Sequence, residues 1–145
     1  MTATSPRKLV VKCTAGIEDP ERCAQAFTVA ATALAAGAEV SLWLTGEAAW
    51  LAVPGRAEAF ELPHSAPLSD LRDAVLAGGT LTVCTQCAAR RDIAETDLVP
   101  GAVIAGSTSF VAEVLADNAQ ASSTETPDCA IFAALAGSKL HNRGR

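Results

Sequence analysis

The sequence predicts an α/β fold: one three-layer α/β/α domain around a mainly parallel sheet of about five strands. Three observations predict it. Short β-branched and apolar runs alternate with helix-period segments along the whole chain. The runs have near-continuous apolar centres, as strands covered on both faces do. The 145 residues, 50% of them hydrophobic, suffice for one real core and show neither a repeat period nor a linker. Residues 8–124 are assigned to this domain, and residues 1–7 and 125–145 to terminal extensions.

The elements follow in order. Lys8-Leu9-Val10-Val11-Lys12-Cys13 reads as the first strand. Asp19-Pro20-Glu21 then supplies an N-cap, a proline for the first helical position and an acid for the first turn. Cys23, Ala26, Phe27, Ala30, Ala31 and Leu34 recur at helical spacing, and Gly37 stops the helix. Cys23 is thus a packing residue, while Cys13 stands at a strand end. Ala38 to Leu44 is the second strand, and its crossover from the first should be right-handed. A turn and short helix from Thr45 to Leu51 stop at Pro54-Gly55, and a loop carrying His64 runs to Pro67.

Leu68, Leu71, Val75 and Leu76 mark the next helix, closed by Gly78-Gly79. The third strand, Thr80 to Val83, leads into an Ala-rich helix start at Cys84. Asp92 to Pro100 is a polar connection, and Gly101 to Gly106 a short fourth strand. Ser107-Thr108-Ser109 offers cap hydroxyls to a helix carrying Phe110, Val111, Val114 and Leu115. Ala119 to Thr124 is a candidate fifth strand. Thr126-Pro127-Asp128 can start a last helix through Leu135, before a basic tail.

Composition excludes several classes. A formal net charge of −5, with acids spread along the chain, argues against a nucleic-acid or membrane-surface binder. The polar start from Met1 to Lys8 lacks a signal peptide's apolar core, and no apolar run reaches membrane-spanning length. A cytoplasmic location is the expectation. Five cysteines, an odd number in a chain of this size, do not make a disulfide framework. A structural zinc site needs a second C-x-x-C or a spaced histidine pair, and His64 and His141 form none. No metal and no cofactor are expected.

Chemistry concentrates at Cys84, where a strand stops and a helix begins. Backbone N–H groups and the helix dipole favour the thiolate there, and ligands bind at the C-terminal ends of strands in open α/β sheets. A buried, inert cysteine is the plain alternative. Cys87 three residues on, with Arg90 and Arg91 beyond it, favours reactivity. Three chemistries fit the segment. Dithiol redox suits the C-x-x-C, but the motif follows the third strand instead of an early one. Cys84 to Arg90 also spells C-x5-R, yet the intervening residues contain no glycine and favour helix over an anion nest. Sulfur transfer needs only an exposed thiol of low pKa, positive potential and a partner surface.

The run Val83-Cys84-Thr85-Gln86-Cys87-Ala88-Ala89-Arg90-Arg91 resembles the cysteine segment of the DsrE/DsrF-like family. Asp19-Pro20-Glu21-Arg22, Gly37-Ala38-Glu39-Val40 and Gly101-Ala102-Val103-Ile104-Ala105-Gly106 resemble further stretches of it. The likeness spans Lys8 to Ser123. It implies a small α/β/α homo-oligomer, often trimeric or hexameric, with the active cysteine near a subunit interface. In the sulfur-relay members Cys84 would match the sulfur-carrying cysteine, and Arg90 and Arg91 the arginine pair.

The expectation is therefore a persulfide-carrying Cys84 with Cys87 as resolving thiol. Arg90 and Arg91 would raise the local potential or bind a partner. Cys13, and Ser107 as part of an anion site, would complete the binding surface. Cys23 and Cys129 should matter far less. Expected partners are further copies of the chain and a sulfur donor or acceptor protein. Trp43 and Trp50 are expected on apolar surface that another copy covers. The rival reading is a non-catalytic oligomeric binding or regulatory module of the same fold; the dithiol redox protein follows.

Overall fold

The computed structural model describes residues 7–125. Five parallel strands form one sheet in the order β4-β3-β2-β1-β5. They are β1 (Lys8–Cys13), β2 (Glu39–Leu44), β3 (Thr80–Cys84), β4 (Val103–Ala105) and β5 (Ala119–Ser123). Between them run the helices α1 (Pro20–Ala35), α2 (Leu68–Gly78), α3 (Thr85–Arg90) and α4 (Ser107–Val114). The helix expected after Thr126, the basic tail, Cys129 and His141 lie outside the described residues.

Strand parity sorts the sheet into two faces. Val11, Cys13, Leu42, Leu44, Leu81 and Val83 share one core with Cys23, Phe27 and Ala30 of α1 and with Leu68 and Val75 of α2. The alternate residues Val10, Lys12, Ser41, Trp43 and Thr82 face the other way, towards α4. Among the described residues one layer is thus thick and apolar, and the other rests on one short helix. Among the described residues no helix is long and apolar enough to cross a membrane.

Local chemistry explains most boundaries. Asp19 caps α1, its Oδ1 accepting from the Arg22 N–H at 3.4 Å, with Pro20 at the first helical position. Gly79 must be glycine because a Cβ there would lie 2.5 Å from the Val40 carbonyl oxygen. This close approach lets α2 turn directly into β3.

Three expectations need correction. Ser107, Thr108 and Ser109 do not cap α4; Gly106 is the N-cap residue, and no side chain bonds to the helix start. Trp43 does not expose apolar surface: it is 2% exposed, edge-on to Phe110 at 5.3 Å. Trp50 is half-buried, with the Arg56 guanidinium 4.4 Å above its ring. The stretch from Asp92 to Pro100 is also more than a polar connection. It holds a 3-10 turn at Glu95–Asp97, and its Ile93, Leu98 and Val99 are buried.

Candidate functional site

The chain leaves β3 into α3 and leaves β4 into α4, and these two helices diverge. α3 packs its Cys87 and Ala88 into the thick apolar layer, while α4 crosses the opposite face. Adjacent strands whose connections part in this way open a crevice at their C-terminal ends. Cys84, the last residue of β3, sits at that crevice.

A pocket of about 350 Å³ fills it. Cys84, Thr85 and Gln86 form one side, Gly106, Ser107 and Thr108 the other, and Lys12, Trp43, Thr45 and Phe110 the rest. The Lys12 ammonium lies 5.7 Å from the Phe110 ring centroid. The pocket is therefore apolar in its body, hydroxyl-rich at one rim and cationic at another.

The two thiols of the motif differ. Burial opposes ionisation of Cys84, but the backbone N–H groups of Cys87 and Gln86, the Cys87 thiol and the Arg90 charge together hold its pKa below that of an ordinary thiol. Burial pushes the Cys87 thiol up, and the neighbouring Cys84 adds to the rise. Cys87 is 8% exposed, and its Sγ accepts the Gly46 N–H at 3.2 Å. That N–H is presented by a left-handed turn, φ +57°, which glycine adopts without strain. The residues between Cys84 and Arg90 form helix, so the C-x5-R spacing builds no anion nest.

The two arginines also part company. Arg91 joins α3 to the 3-10 helix Gly46–Ala52: its Nη2 and Nε donate to Glu47 Oε1 at 2.8 and 3.2 Å, and its Nη1 donates to the Cys87 carbonyl at 3.1 Å. Arg90 is exposed, and it is the arginine whose charge acts on Cys84.

Ser107 comes together with Cys84 across the pocket. Cys13 does not. Parity turns it to the opposite face, where it is fully buried and its Sγ donates to the Ala15 carbonyl at 3.3 Å. Its neighbour Cys23 is equally buried; the hydrogen bond with the Cys13 thiol, then burial, raise its pKa strongly. Among the described residues no cluster of three His, Cys, Asp or Glu could hold a metal ion.

One site residue escaped the sequence reading. Glu113 of α4 reaches back to the sheet, where its Oε2 accepts from Ser41 Oγ at 2.7 Å and from Trp43 Nε1 at 3.0 Å. Lys8 lies 4.0 Å from its other oxygen. This carboxylate fixes both α4 and the Trp43 wall of the pocket. Its only sequence signal is a lone acid in an otherwise uncharged helix.

A small α/β domain with a thiol at the carboxyl end of a parallel strand defines a class, and the comparisons give its family. The profile of the DsrE/DsrF-like family matches residues 7–120, and the chain belongs to that family. Its fold is similar to that of the ychN protein from E. coli, with a TM-score of 0.66 at 15% identity. That match covers 80% of this chain and 99% of the other. A protein of unknown function from Methanobacterium thermoautotrophicum, MTH1491, has a TM-score of 0.62 at 8% identity, over 82% and 99% of the two chains. No curated protein matches the sequence significantly.

Proposed function

We propose that the chain carries sulfane sulfur as a persulfide on Cys84. The carrying observation is the contrast between two neighbouring thiols in one pocket. Cys84 is half-exposed, favoured as thiolate and open to the crevice; Cys87 is buried, hydrogen-bonded and held as thiol. The thiolate attacks the outer sulfur of a donor persulfide or polysulfide. A new S–S bond forms on Cys84, the donor's S–S bond breaks, and the donor leaves as its thiolate or shortened polysulfide. Net oxidation state is unchanged, so the step needs no cofactor.

Cys87 then serves as resolving thiol. It attacks the inner sulfur, forming the Cys84–Cys87 disulfide and expelling hydrosulfide, which returns Cys84 to use once an external thiol reduces the pair. Arg90 supplies the positive potential that draws an anionic donor, and the Ser107 rim contacts it. Exposed Val103, Val111 and Leu115, all on the α4 side, support a homo-oligomer that covers this thin layer.

The test is intact mass after brief exposure to inorganic polysulfide. The parent should gain the mass of one sulfur atom, and Cys84→Ser should not. Equal loading of Cys84→Ser would remove the sulfur-carrying reading and leave a binding module of the same fold.

A further inference from the structure

The Cys84 pocket is larger and more apolar than sulfane sulfur alone requires. Its volume of about 350 Å³ reaches the range of small-molecule sites, about 300–1,000 Å³. The atoms of an inorganic trisulfide, joined by bonds of about 2.05 Å, span only about 3–4 Å. Most of the pocket is left for another part of the donor.

That remaining space runs from Cys84 along an aromatic wall to a cation. Lys12 pairs with Trp43 and Trp43 with Thr82, and Cys84 lies two residues beyond Thr82 on the same face. Two strand spacings across and two residues along put about 12 Å between the Lys12 and Cys84 Cα atoms. Trp43 stands in the row between them. It is nearly buried, its Nε1 donates to Glu113, and Phe110 meets it edge-on. The wall is thus fixed before a ligand arrives, which lowers the ordering entropy that binding must offset. A short inorganic anion gains nothing from such a surface, whereas a carbon chain buries apolar area on it. The Lys12 ammonium is partly exposed and ion-paired with Glu125. Pairs of this kind are weak, so an incoming carboxylate can exchange for that of Glu125.

We infer that the sulfur donor is a small organic persulfide bearing a carboxylate, of amino-acid to short-peptide size. Its carboxylate meets Lys12, its carbon chain lies on Trp43 and Phe110, and its outer sulfur reaches Cys84. The inference rests on the sulfur-carrying reading of Cys84 and names the substrate class for it. The Cys84 thiolate attacks the outer sulfur of the donor R–S–SH. An S–S bond to Cys84 forms, the donor's S–S bond breaks, and R–S⁻ leaves with the electron pair. The outer sulfur keeps its proton, R–S⁻ takes one from water, and no oxidant or reductant is consumed.

Two measurements on the full-length chain test this. In the first, Cys84 is loaded at limiting concentration by the persulfide of N-acetylcysteine and, separately, by the persulfide of its amide, which lacks the carboxylate. Each rate is divided by that of the same donor with a free small thiol, which removes intrinsic reactivity. The carboxylate donor should load faster by about three- to tenfold. Lys12→Ala should bring it down to the rate of the amide. In the second, the S-methyl thioether of N-acetylcysteine, which has no sulfur to give, should protect Cys84 from iodoacetamide in the parent but not in Lys12→Ala. Equal normalised rates for the two donors, a preference that persists in Lys12→Ala, or a thioether that gives no protection would each overturn the inference. If Cys84 takes sulfur from no donor while the thioether still protects it through Lys12, the sulfur-carrying reading fails and the pocket stands as a site for a small carboxylate.

Discussion

The Gly46 N–H donates to Cys87 Sγ at 3.2 Å, across the junction between the 3-10 helix Gly46–Ala52 and α3. This one bond holds the inner thiol of the C-x-x-C at the edge of the core, where it also meets the Cys84 thiol. It leaves the outer sulfur of Cys84 with the N–H groups of Gln86 and Cys87. The pair is therefore asymmetric before any substrate arrives.

Alkylation should reveal this asymmetry. The folded-state pKa of Cys84 is depressed, so its thiolate persists at pH values where an ordinary thiol is protonated, and is lost only as pH falls through that lower value. Cys87 is shifted the other way. Iodoacetamide should label Cys84 first at pH 7, with Cys87 following only at alkaline pH or on unfolding. Peptide mapping across a pH series checks the order, and Cys87 labelled first would refute the assignment of roles.

The arginines should separate in the same assay. Arg90→Ala removes an exposed charge that favours the Cys84 thiolate, and should slow its alkylation at pH 7 about two- to fivefold. Thermal stability should barely change. Arg91→Ala instead breaks the bonds to Glu47 and to the Cys87 carbonyl, and should cost about 1 kcal/mol of stability. Denaturant unfolding distinguishes the two.

Glu113 gives a sharper stability test. Ser41 is fully buried and Trp43 nearly so, and both donate to the same carboxylate oxygen. Glu113→Ala strands both donors and should destabilise the fold by about 1–3 kcal/mol. Glu113→Gln keeps an acceptor oxygen and should cost less. A lower urea midpoint at unchanged slope would show the effect lies in the native state.

Assembly is tested on the α4 side. Val111 is 47% exposed and Leu115 75%, one helical turn apart on a helix with no fully buried residue. Light scattering should show a homo-oligomer at micromolar concentration, and Val111→Lys with Leu115→Lys should shift it towards monomer. A parent chain that is already monomeric would contradict the covered-face argument.

Much of this was legible in the sequence, and the remainder has a physical reason for being hidden. Lys8–Cys13 and the Asp19-Pro20-Glu21 helix start depend on local chemistry, and they lie where the pattern placed them. Cys84 at a strand end next to a helix start was equally local. What the pattern could not show was which partner each residue meets across the fold. Trp43 is covered by Phe110, and Arg91 is engaged by Glu47, because of strand order and crossover, not propensity. Cys13 looked comparable to Cys84 as a strand-end thiol. A single step in parity put it on the opposite face of the sheet, against α1.

The last prediction concerns the chain beyond Glu125. Among the described residues 7–125, the five strands, the core under α1 and α2 and the lining of the Cys84 pocket are all present. The Lys12–Glu125 ion pair is kept in a chain that ends at Glu125, and being partly exposed it contributes no more than about 1 kcal/mol even if the new carboxyl terminus disturbs it. A chain ending at Glu125 should therefore fold, with a midpoint of unfolding close to that of the full chain. It should still load sulfur on Cys84, because no group named in the loading step lies past that point. Loss of soluble protein on truncation would show instead that Ile131, Phe132 or Leu135 completes an apolar surface of the domain.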